Sequence, residues 1–84
     1  MQITGNVYQR IHALNKTEFR ELRAELKHRC NNAYYAILAG NSQKVSDEER
    51  AALKRVYGKH KVMLNDDEID SAVFMTMARS AELR

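Results

Sequence analysis

The chain has 84 residues, 44% of them hydrophobic and 30% charged, with a net charge of +3. That length gives room for one domain, residues 1–84, with a thin core and a small margin of stability. A single cysteine excludes a disulfide framework, and no apolar run approaches the ~20 residues of a membrane span. Residues 1–6 lack the basic and apolar regions of a secretion signal, so a reducing cytoplasm is the expected setting.

Capping signals place the elements in chain order, because there are no prolines and only three glycines. Val7, Tyr8, Ile11 and Leu14 mark a first helix near 6–14. Asn15 is a helix cap with Glu18 three residues on, and Leu14 and Phe19 are spaced as a hydrophobic staple. From there Phe19, Leu22, Leu26, Cys30, Ala33 and Ile37 fall within an arc of about 80° at 100° per residue. That unbroken stripe predicts one helix over 16–39, with Gly40 as its left-handed stop. Ser46 with Glu49 opens a third helix, which Gly58 ends, with Ala52, Leu53, Val56 and Tyr57 on one face. Asn65 with Glu68 opens a fourth near 66–82, whose inward face is Ile69, Val73, Phe74, Met77 and Ala81. The expected fold is all-α: a compact bundle of three to four helices, about 6–14, 16–39, 46–58 and 66–82.

Catalysis needs converging groups, and none are recognisable, so no enzyme activity and no cofactor are expected. His12, His28 and His60 lack paired ligand spacing, and Cys30 lies on the apolar stripe as a core thiol. Asp66, Asp67, Glu68 and Asp70 stand at a helix start, where acids are favoured anyway, without the glycine-bearing loop of a calcium site.

Charge is the more informative feature. Residues 1–62 hold 12 Lys/Arg against 6 Asp/Glu (+6), and residues 63–84 hold 2 against 5 (−3). Such an asymmetry attracts polyanions, or aligns two copies of the chain, or is an ordinary solvated surface. Lys16, Arg20, Arg23 and Lys27 form a basic stripe on the second helix, with Arg50, Lys54 and Arg55 on the third. Phosphate contacts come from such residues. Asn31, Asn32, Tyr34 and Tyr35 follow the stripe and have the chemistry of base readers.

Residues 20–40 resemble a repressor-type helix-turn-helix. Ala24 stands where that family has a small residue, Tyr34 and Ile37 where its recognition helix packs inward, and the helix opened by Ser46-Asp-Glu-Glu follows as in that fold. The sequence departs from the pattern at His28, where the turn glycine belongs, and at Arg23, Lys27 and Arg29, which replace apolar residues. The resemblance implies a turn near His28 to Asn31 and base contacts from Asn31, Asn32 and Tyr35. The apolar stripe implies no turn at all.

The functional expectation is a small non-enzymatic regulatory protein that binds nucleic acid, DNA in the first place, through Arg20, Arg23, Lys27, Asn31, Tyr35, Arg50 and Lys54. The alternative is a protein-binding adaptor or inhibitor, or a homodimer, that uses Ala72, Met75 and Leu83 on the outer side of the last helix. A membrane partner is not expected.

Overall fold

A computed structural model describes residues 6–83. Among them are five α-helices: α1 (Val7–His12), α2 (Lys16–Arg29), α3 (Asn31–Leu38), α4 (Asp47–Lys59) and α5 (Ile69–Glu82). Short 3-10 turns, Ser42–Lys44 and Asp66–Glu68, precede α4 and α5. No described residue is in a strand, and no helix is long and apolar enough to cross a membrane.

Each cap does the work expected of it. The side chain of Asn15 accepts from the Glu18 amide while Glu18 accepts from the Asn15 amide, at 2.8 Å in both directions. Ser46 with Glu49 and Asn65 with Glu68 repeat the exchange. A fourth box, Asn6 with Gln9, opens α1. Each pair satisfies two amide donors that a helix start leaves without partners.

The single helix expected over 16–39 is not what forms. Cys30 leaves the helical region, with φ −130° and ψ 28°, and divides α2 from α3. All six stripe residues are nevertheless buried, with Tyr34 added to them. The stripe is real, but it wraps a core that curves. The break costs little hydrogen bonding, since the Cys30 amide still donates to Leu26 and its carbonyl still accepts from Tyr34. In return α3 packs against both α4 and α5. Burying side chains such as Phe19, Leu22, Leu26 and Ile37 stabilises the fold by about 1.5–3 kcal/mol each.

Two further boundaries differ from expectation. Gly58 does not end its helix; α4 runs to Lys59, and the chain reverses at Lys61 with φ 72°. Gly40, by contrast, has the expected left-handed φ of 82°. The last helix is also rotated. Ala72, expected outside, is fully buried, while Phe74, expected inside, is 46% exposed. Thr76, Arg79 and Ser80 replace it on the inner side.

Those polar residues are inside because each of the larger two finds a distant partner. The Thr76 hydroxyl donates to the Ala72 carbonyl and accepts from the fully buried Tyr57 hydroxyl at 2.8 Å. Arg79 donates to the Ile11 carbonyl at 2.6 Å and lies 4.6 Å from the Phe19 ring centre. It therefore adds a charged donor to a carbonyl in the last turn of α1, which also accepts from the Leu14 amide, while stacking on α2.

Candidate functional site

The two flanks of α2 carry opposite charges and meet different neighbours. Glu18 and Glu25 face the end of α4. Glu25 lies 2.7 Å from His60 Nε2, 3.0 Å from Arg29 and 3.3 Å from Lys59, and Glu18 accepts from Lys61 at 2.6 Å. These bonds, His60 foremost for Glu25 and Lys61 for Glu18, hold both carboxyls below their usual range. On the other flank, Lys16, Arg20, Arg23 and Lys27 fall within about 60° of arc at the helical repeat. Among the described residues, no ion pair reaches any of these four. Two of the three acids that share their helix, Glu25 and Glu18, are bonded instead to the end of α4 and to Lys61 just after it.

The break at Cys30 sets α3 beside this flank. The positive charge of Arg23 is near enough to act on the Tyr34 phenol, whose pKa burial raises. Tyr34 itself is only 3% exposed, so it is a core residue and cannot stack on a base. Tyr35 is 43% exposed and meets the Tyr34 ring edge-on at 5.3 Å. Asn31 and Asn32 are exposed in the first turn of α3. Both line a cleft of about 240 Å³ together with His28, Arg29, and Glu49 and Ala52 of α4.

Of the residues singled out from sequence, Arg20, Arg23, Lys27, Asn31 and Tyr35 thus belong to α2 and α3 around one break. Arg50 and Lys54 do not join them. Arg50 donates to Asp70 at 2.8 Å and to the Ser42 carbonyl at 3.0 Å. Lys54 donates to Asp66 at 2.9 Å. Both line the groove between α4 and the start of α5. The acidic segment is spread among three cations, since Glu68 also takes Arg10 of α1 at 2.6 Å. No group of three potential metal ligands forms among the described residues. The −3 of residues 63–84 is therefore largely spent inside one copy rather than held out to a second.

The partner-binding set changes more. Ala72 is part of the core, Met75 is half-buried against it, and Leu83 is 37% exposed just past the end of α5. The exposed apolar residue of that helix is Phe74, with Ala78 and Ala81 one and two turns on. Cys30 is buried, and burial first, then the Glu25 charge, push its thiol pKa up. Comparison with family models, with curated proteins and with solved structures finds no match.

Proposed function

We propose that the protein is a small non-enzymatic regulator that binds duplex DNA, with the open flank of α2 on the phosphates and the outer face of α3 in the major groove. The observation that carries this reading is the unpaired set Lys16, Arg20, Arg23 and Lys27 next to a separate helix whose exposed side is Asn31, Asn32 and Tyr35. The break falls where the helix-turn-helix resemblance needs its turn, although one residue replaces the usual three or four. An α-helix with its side chains is about 10–12 Å across, which the B-form major groove, about 12 Å wide, admits. The major groove of duplex RNA is too narrow for side chains to enter, so the same face favours DNA.

Titration of labelled duplex DNA between low and moderate salt tests the reading. The logarithm of affinity should fall linearly with the logarithm of salt, and duplex RNA of the same sequence should bind more weakly. Binding that ignores salt, or no binding at the lowest salt, overturns it.

A second reading, a protein partner or a second copy of the chain on α5, is favoured by the exposure of Phe74 rather than by the residues expected from sequence. Light scattering of wild type and Phe74→Asp at micromolar protein tests it. A monomeric wild type removes the dimer.

A further inference from the structure

The chain has six asparagines, and the structure uses them in different ways. The side chains of Asn6, Asn15 and Asn65 each serve a capping box. Asn31 and Asn32 are exposed inside a helix, and among the described residues neither side chain makes a hydrogen bond. Asparagine is one of the poorer helix formers, because its amide competes for the backbone. Two in succession follow the break at Cys30, and neither side chain caps or bonds the helix it stands on. They hold out two donor–acceptor pairs on the side of α3 away from the core.

The rest of that helix narrows what those pairs can meet. α3 reads Asn-Asn-Ala-Tyr-Tyr-Ala-Ile-Leu and carries no arginine or lysine. Guanine shows two acceptors, N7 and O6, in the major groove, and a cationic fork is what fits them. Arg29, the nearest cation before the helix, is engaged by Glu25. Adenine shows an acceptor and a donor side by side, N7 and the N6 amino group, which a carboxamide matches with two hydrogen bonds. Tyr35, one turn further on and exposed, is placed for apolar contact with the methyl group of thymine.

Resting on the reading of α3 as the helix in the groove, we infer that the preferred duplex presents A·T pairs to it, and that the Asn31 and Asn32 carboxamides read adenine through N6 and N7. Selection from a randomised duplex pool tests this. Recovered sequences should share at least one A·T position, and 7-deazaadenine there, which removes only N7, should weaken binding roughly tenfold or more. The Asn31→Ala/Asn32→Ala protein, its helical content checked by circular dichroism, should bind selected and scrambled duplexes equally, with the salt dependence of wild type. The absence of any shared A·T position, indifference to the 7-deaza base, or discrimination surviving in the double variant overturns the inference while the binding reading stands. Absence of any salt-dependent binding overturns that reading itself.

Discussion

Two groups of four basic side chains in this protein differ in what surrounds them. Arg10, Arg50, Arg79 and Lys61 are each bonded to an acid or a carbonyl from a distant part of the chain. Lys16, Arg20, Arg23 and Lys27, on the open flank of α2, have no such partner among the described residues. The first population ties elements together. The second forms no such tie, and its mutual repulsion costs the fold a little. The contrast also teaches that net charge is a poor guide to a surface. What matters is which cations remain after the acids have chosen partners.

Each population makes its own prediction. The largest effect should come from Arg79→Met, which deletes a buried charged hydrogen bond and the contact with Phe19. A loss of about 2–3 kcal/mol is expected in denaturant unfolding, with DNA binding by the folded fraction unchanged. A variant as stable as wild type would show that the bonded cations do not hold the fold.

Replacing Arg20, Arg23 and Lys27 together with Ala should do the reverse. Stability should shift by less than ~1 kcal/mol, whereas the salt slope of DNA binding should drop by about 0.9 per residue lost. Between 50 and 200 mM salt, that is roughly a fortyfold smaller loss of affinity. An unchanged slope would erase the distinction between the two populations.

A smaller effect concerns pH. Arg10 foremost, and then the Asn65 amide, hold the Glu68 carboxyl at about 2 instead of 4.5. The stability this pair supplies is present above about pH 4.5 and is lost as pH falls from there toward 2. The melting temperature should decline across that window, and less steeply in Glu68→Gln; identical profiles would contradict the pairing. The smallest effect is on Cys30, whose burial should make a thiol reagent label the native protein slowly. Rapid labelling with the fold intact would place that break at the surface.

Much of the fold could be read from local grammar. The boxes at Asn15, Ser46 and Asn65 each lie within four residues, so sequence alone locates them, and Asn6 with Gln9 obeys the same rule. The break at Cys30 was hidden because the apolar stripe keeps its phase through it; Asn31-Asn32, poor in helix propensity, is the signal that marks it. The rotation of α5 was hidden for another reason. Phe74 is the most apolar choice for an inner face, and what displaces it are Thr76 and Arg79, whose partners Tyr57 and Ile11 lie 19 and 68 residues away. For the site, the stripe on α2 was visible in the spacing of its residues. That Arg50 and Lys54 are committed to Asp70 and Asp66 depends on tertiary pairing that no spacing encodes.

The four reciprocal caps have a consequence for how the chain reaches its fold. Nucleation is the costly step of helix formation, and a cap that closes on a residue three positions away needs no tertiary contact to act. The denatured ensemble should therefore already favour starts after Asn6, Asn15, Ser46 and near Asn65, with fleeting helices in register before any collapse. Folding then becomes a search over how preformed rods dock, a short search of the kind that helical proteins complete in microseconds to milliseconds.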